Sequence, residues 1–283
     1  MKKIVGICMF LFFVEAVGFG QAGLRGGAIL GGSTTIDPII QAAIESFTRI
    51  HPDVKLTYEG ENSQVGISRV LSGEYPLAGV SRNLTGEEKA KGLIEHLVAL
   101  DGVAVIVNKG LPMQNLSRRQ LANILNGIAK NWRDLGGPDG PILVVSREEV
   151  SGTRITLEEL VLQKEYPKDS DPRAGFLSDA STATSNGDMV EKVGSTRGSI
   201  GFCGLGYLAE AEKAGARAVS IDKVTVSSDS VISHSYPISR RLYMVSKGAL
   251  RVGTLEEAFV DFLLSPEGQS IVKAEGYVPL PIK

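Results

Sequence analysis

Cysteine is nearly absent from this chain: of 283 residues only Cys8 and Cys203 are cysteines. Cys8 falls in a leader-like N-terminus, so no disulfide framework can form within one mature chain. Clustered charge of one sign is missing too. The net charge is −2, with no basic block and no acidic tail, which argues against nucleic acid as the partner. No apolar run approaches the ~20 residues of a membrane span. Internal repeats and low-complexity linkers are absent. The three histidines, His51, His96 and His234, are scattered without metal-ligand spacing. There is no phosphate loop of the G-x-x-x-x-G-K-[ST] type. Nothing in these patterns calls for a metal or a cofactor.

What is present is an ordinary globular mix, 43% hydrophobic and 22% charged, able to bury a core. The N-terminus stands apart. Met1-Lys2-Lys3 is a short basic start, Ile4 to Val14 is almost wholly apolar, and Gly18-Phe19-Gly20 offers small residues before Gln21. Residues 1–20 therefore read as a secretory signal peptide, with an uncleaved anchor as the alternative. Its removal takes away Lys2, Lys3 and Glu15 and makes the charge balance one unit more negative. Cys8, preceded by Ile7, is badly placed for lipid attachment. Cys203, in Gly201-Phe202-Cys203-Gly204, reads as a buried small residue rather than a nucleophile.

Helical and strand patterns alternate, which predicts an α/β architecture. Asp37-Pro38 reads as N-cap and first helical residue, followed by an apolar face of Ile40, Ala43, Ile44 and Phe47. Val54 to Tyr58 alternates as a strand, and Gln64 to Leu71 is helical up to Gly73. Thr85-Gly86-Glu87-Glu88 and Thr254-Leu255-Glu256-Glu257 are capping boxes. Ser117 caps a helix carrying Leu121, Ile124 and Leu125. Short strands are predicted at 76–80, 142–145, 200–202, 218–221 and 242–245. The apolar stretches 97–107 and 238–245 are the best crossings between two lobes. One lobe is then discontinuous (24–104 plus 238–283) and the other continuous (105–237).

The most informative segment is Arg147-Glu148-Glu149-Val150-Ser151-Gly152-Thr153. Hydroxyls and free N–H groups at a helix start form an anion site. An arginine four residues upstream adds a full charge and a planar fork of donors. Three other junctions share this chemistry: Gly31-Gly32-Ser33-Thr34-Thr35, Glu61-Asn62-Ser63 and Val80-Ser81-Arg82. Each alone reads as a plain helix cap. Together they point to a pocket for a small tetrahedral oxyanion at the carboxyl ends of strands. Glu149 is expected to orient the Arg147 guanidinium. Arg82 either adds positive potential or faces solvent, and solvent is favoured.

These residues, with Tyr58-Glu59-Gly60, Gly79-Val80-Ser81-Arg82, Ser185-Asn186-Gly187 and Gly198 to Phe202, resemble the phosphate-binding proteins of bacterial phosphate-specific ABC transporters. The resemblance runs from Gly31 to the C-terminus. It implies the type II periplasmic binding protein fold, two α/β lobes joined by a two-crossing hinge with the ligand cleft between them. It implies that Thr34, Thr35, Ser63, Ser81, Arg147, Ser151, Gly152 and Thr153 bind phosphate. It further implies an extracytoplasmic monomer that is not an enzyme and delivers phosphate to permease subunits in the membrane. Many relatives carry an aspartate where this chain has Ser81, so preference for phosphate over sulfate or molybdate stays open. A phosphatase-like hydrolase is the enzymatic alternative. Ser151 has no histidine or lysine nearby in sequence to serve as its base.

Overall fold

The computed structural model describes residues 23–167 and 174–281. The predicted signal peptide and Cys8 lie outside the described residues. Among the described residues, eleven strands and eleven α-helical segments follow one another, mostly in alternation. The strands are β1 (Gly26–Ser33), β2 (Val54–Glu61), β3 (Leu77–Val80), β4 (Leu93–Asn108), β5 (Asn115–Leu116), β6 (Leu143–Arg147), β7 (Ser181–Ala183), β8 (Ser199–Gly204), β9 (Ala216–Ala218), β10 (Ser220–Ile221) and β11 (Ser239–Lys247). The helices are α1 (Asp37–Ile50), α2 (Ser63–Ser72), α3 (Gly86–Ala90), α4 (Arg118–Leu125), α5 (Gly152–Leu157), α6 (Gln163–Glu165), α7 (Asn186–Ser195), α8 (Leu208–Ala214), α9 (Ser228–Ile232), α10 (Leu255–Leu264) and α11 (Pro266–Ala274).

Nine of the strands join in the order β2-β1-β3-β11-β4-β8-β6-β7, with β9 also paired to β4. β1 pairs in parallel with β2 and β3, and β6 pairs in parallel with β7 and β8. Two antiparallel strands, β4 and β11, stand between these parallel groups. β4 is the bridge. Its first part, Leu93–Gly102, runs against β11, and its second part, Val103–Val107, runs against β8. The residues Val103 to Val107 are all buried, as expected of a strand covered on both faces.

The interior divides in the same place. One apolar cluster collects Val103 to Ile238, joined by Val278. Two others collect residues 30–99 and 242–277. In the latter part α1 buries Ile39, Ile40, Ala43, Ile44 and Phe47, and Phe47 meets the edge of Phe259 from α10 at 5.4 Å. Cys203 is wholly buried on β8. Burial pushes its thiol well up, away from the thiolate that a nucleophile needs.

Local rules placed most helix starts. Thr85 and Ser117 form complete capping boxes with Glu88 and Gln120. Two predicted starts differ. The N-cap of α1 is Ile36, and Asp37 is already helical, its carboxylate accepting from the Gln41 amide one turn on. At Thr254 only half the box forms. Its hydroxyl accepts from the Glu257 N–H, while the Glu257 carboxylate accepts from Gly253 N–H.

Candidate functional site

Parallel strands align their carboxyl ends, and both parallel groups point those ends at the same interior region. From one side come the turn after β1 (33–35), the start of α2 after β2 (Ser63) and the residue after β3 (Ser81). From the other come the end of β6 (Arg147), the start of α5 (151–153) and the start of α7 (Asn186). Gly32 permits the first convergence. It sits at φ +123°, and a Cβ there would lie 2.4 Å from the carbonyl oxygen of Gly79. No L side chain is tolerated at so close an approach.

Within the cluster the hydroxyls meet directly. Ser33 Oγ donates to Ser81 Oγ at 2.9 Å, and Ser63 Oγ lies 3.3 Å from Ser81 Oγ. Ser63 Oγ also accepts from the Ser81 N–H at 3.1 Å. Across the two groups, Thr35 Oγ1 and Thr153 Oγ1 are 3.0 Å apart. Asn186 Nδ2 donates to Thr34 Oγ1 and Thr35 Oγ1. Gly152 is packed so tightly that an added Cβ would lie 2.4 Å from Ser63 Oγ and 2.5 Å from Ser81 Oγ. The first-turn amides of a helix have no carbonyl partner within it, so Gly152 and Thr153 bring N–H groups to this contact.

Three tyrosines hold the 33–35 turn by its carbonyls. Tyr58 donates to Ser33 O, Tyr207 to Thr34 O and Tyr277 to Thr35 O. They come from β2, from the short turn after β8 and from the C-terminal segment. With these carbonyls held, and the Thr34 and Thr35 N–H groups donating to Glu61 O and Ser33 Oγ, the turn brings its hydroxyls to the cluster.

Charge is the decisive property. Arg147 is 2% exposed, and its Nε and one terminal nitrogen donate to Ala183 O and Thr184 O at 3.0 Å. Those contacts fix the plane of the guanidinium and use two of its five donors. Among the described residues it forms no ion pair. Burial lowers its pKa to about 10, with Arg240 acting in the same direction and Glu148 opposing. A buried cation without a partner is expensive, and an anion is what would relieve it.

Arg240 is the second buried guanidinium. Its cross-strand partner in the β11–β4 register is Asp101. Arg240 Nε and a terminal nitrogen both reach Asp101 Oδ2 at 2.8 Å. The rest of the fork donates to Thr153 Oγ1, Thr35 Oγ1 and Ser81 O. Burial raises the Asp101 carboxyl above its ordinary value, against the pull of Arg240. The two guanidiniums and one carboxylate leave one uncompensated positive charge inside the cluster.

Thr34, Thr35, Ser63, Ser81, Arg147, Ser151, Gly152 and Thr153 are thus brought into one buried region. Two expectations fail. Glu149 does not orient Arg147: its side chain is 89% exposed, and among the described residues it reaches only Arg154, at 3.9 Å. Backbone carbonyls do that job. Arg82 does not face solvent: it is buried and grips Glu88 through both terminal nitrogens, at 2.7 and 2.8 Å. Sequence reasoning missed Asp101 and Arg240, and gave Ser33 and Asn186, both within its motifs, no role of their own. A signal existed for the first two, since each is a charge set inside an apolar stretch.

A cavity of about 240 Å³ adjoins this cluster, lined by Arg240, Thr156, Arg82 and Leu160 among others. Arg240 and Thr156 separate it from the hydroxyls, both contacting Ser81 O.

Residues 19–267 match the model of the PBP superfamily domain. The phosphate-binding protein PstS of Borreliella burgdorferi is 33% identical over 249 residues, covering 88% of this chain and 88% of that protein. PstS of Bacillus subtilis is 31% identical over 298 residues, covering 99% of this chain and 94% of the relative. Among solved structures, a putative phosphate ABC transporter substrate-binding protein from Clostridium perfringens, with bound phosphate, aligns at a TM-score of 0.81. Its identity is 32%, with 90% of this chain and 100% of that chain covered. An ABC-type phosphate transport receptor from Vibrio cholerae aligns at 0.70 with 30% identity, over 90% of this chain and 100% of that chain.

Proposed function

This chain belongs to the PstS family of phosphate-binding proteins within the PBP superfamily, and from that premise we propose that it captures inorganic phosphate between two lobes and delivers it to an ABC importer. The observation that carries the reading is the buried hydroxyl cluster together with the buried guanidinium of Arg147 at the end of β6, a cation with no ion-pair partner among the described residues. We assign Thr34, Thr35, Ser63, Ser81, Arg147, Ser151, Gly152 and Thr153 to the ligand, and add Arg240 and Asn186 as the groups that position Thr34, Thr35 and Thr153. The lobes are residues 24–104 with 238–283, and residues 105–237. The change of partner along β4 at Gly102/Val103 and the separate apolar clusters support that division.

Binding without turnover is the reading the chemistry favours. Ser151 Oγ caps α5 by accepting from the Arg154 N–H, and among the described residues no contact to a base activates it. Export follows from the leader at residues 1–20, and among the described residues no helix is long and apolar enough to cross a membrane. The exported monomer then meets the permease from outside the cytoplasm.

Phosphate has so few heavy atoms that the ceiling of about −1.5 kcal/mol per atom allows roughly −7.5 kcal/mol, near micromolar affinity. Reaching it requires almost every ligand oxygen to be bonded and shielded, which closure of two lobes supplies. Isothermal titration of folded, ligand-free protein with phosphate tests this. A saturable heat with near-micromolar affinity is expected, and its absence would overturn the reading.

A further inference from the structure

Two residues outside the set assigned to the ligand join the same two groups of loops. Asn62 precedes Ser63 at the start of α2, and Glu148 follows Arg147 at the end of β6. They stand 86 positions apart, yet Asn62 Nδ2 donates to Glu148 Oε2 at 2.9 Å. Glu148 also opens the turn into α5, its carbonyl accepting from the Ser151 N–H. One side-chain bond thus ties the start of α2 to the turn that delivers α5.

Asn62 forgoes a local bond to make this one. It is the N-cap of α2 with the extended backbone of a cap, φ −125° and ψ 165°. Asparagine is among the strongest capping residues, yet its side chain makes no capping bond. The amide turns its nitrogen to Glu148 and leaves its oxygen buried with no partner among the described residues. An unmade cap and an orphaned acceptor both cost free energy. The charge-assisted bond to Glu148 outweighs them in this arrangement.

Contacts such as Thr35 to Thr153 join the loops through hydroxyls assigned to the ligand. The Asn62–Glu148 bond engages none of those hydroxyls. When the loops part for entry or release of the ion, this bond breaks. Rotation of the Asn62 side chain then lets its oxygen accept a first-turn N–H of α2. Opening exchanges one partner for another and does not strand the amide.

We propose that Asn62 and Glu148 form a latch that holds the binding loops shut over phosphate and slows its release; the proposal rests on the phosphate-capture reading above. Calorimetry and stopped-flow dissociation of phosphate test it on Glu148→Gln and Glu148→Ala, each with and without Asn62→Ala, with folding checked by circular dichroism. Both changes at position 148 remove the charge, so charge cancels from their comparison. Only the amide keeps an acceptor for Asn62. With Asn62 in place, Glu148→Ala is expected to bind phosphate at least about fivefold more weakly than Glu148→Gln, the loss lying in the dissociation rate. In the Asn62→Ala background the two are expected to agree within about twofold. Equal affinities with Asn62 present, the same ratio in both backgrounds, or a loss carried by the association rate would overturn the latch and leave phosphate capture intact. Absence of saturable phosphate binding by the wild-type protein would overturn both.

Discussion

At the scale of the residue, Arg147 does what no neighbour can replace. It contributes a full charge from a position 2% exposed, with its plane set by Ala183 O and Thr184 O. Truncating one member of a buried charge-assisted contact costs about 2–5 kcal/mol. Arg147→Ala is therefore expected to weaken phosphate binding by at least roughly thirtyfold in calorimetry, with the fold retained. Affinity surviving within threefold would place the ligand elsewhere. Arg147 and the hydroxyl loops were legible in the sequence because each combines small donors with a strand-to-helix junction. Glu149 misled for a physical reason. It lies two residues from Arg147 on an exposed loop, and proximity in sequence says nothing about which carbonyls a guanidinium finds across the sheet. Asp101 and Arg240 are 139 residues apart, so their pairing emerges only from the β4–β11 register.

At the scale of the element, the capping rules that fixed α3 also explain Arg82. Glu88 closes the box with Thr85 and simultaneously clamps the Arg82 fork. Burial pushes the Glu88 carboxyl upward, but the bonds from Arg82 and the Thr85 N–H more than reverse this and hold it below its ordinary 4.5. A depressed carboxylate contributes stability that is fully present above its unfolded value and is lost as pH falls through the folded one. Glu88→Gln is thus expected to cost about 3–5 kcal/mol at neutral pH, since it leaves a buried guanidinium unpaired. The loss should shrink in acid, as pH falls below the carboxyl's ordinary 4.5 and Glu88 takes up its proton. Urea melts of both proteins at neutral and acid pH check this, and equal losses at both would refute it. The sequence showed the box but not the clamp, because Arg82 reaches Glu88 only after the turn at 83–85 folds back. The β4 and β11 strands were legible as apolar stretches; their lengths were not, since edge residues such as Ile94 and Lys247 follow the ladder rather than a hydrophobic pattern.

At the scale of the whole molecule, the apolar clusters on either side meet along β4, and the loops assigned above to the ligand lie beside it. Contacts such as Thr35 to Thr153 and Asn186 to Thr34 span more than a hundred positions of sequence. They describe a closed arrangement that no local pattern encodes. Alternation of helix and strand announced the fold class, and the resemblance of spaced motifs announced the family; the closure belongs to the three-dimensional structure alone. A buried, low-dielectric interior strengthens every charge and dipole within it, and on the reading proposed above that is how the Arg147 guanidinium holds an anion there. The most direct test is a crystal structure of the mature protein grown with phosphate. The account predicts one tetrahedral ion enclosed by the 34–35 turn, Ser63, Ser81 and the start of α5, within hydrogen-bond reach of the Arg147 guanidinium. Phosphate ordered at another surface, or Arg147 turned away from the bound ion, would contradict it.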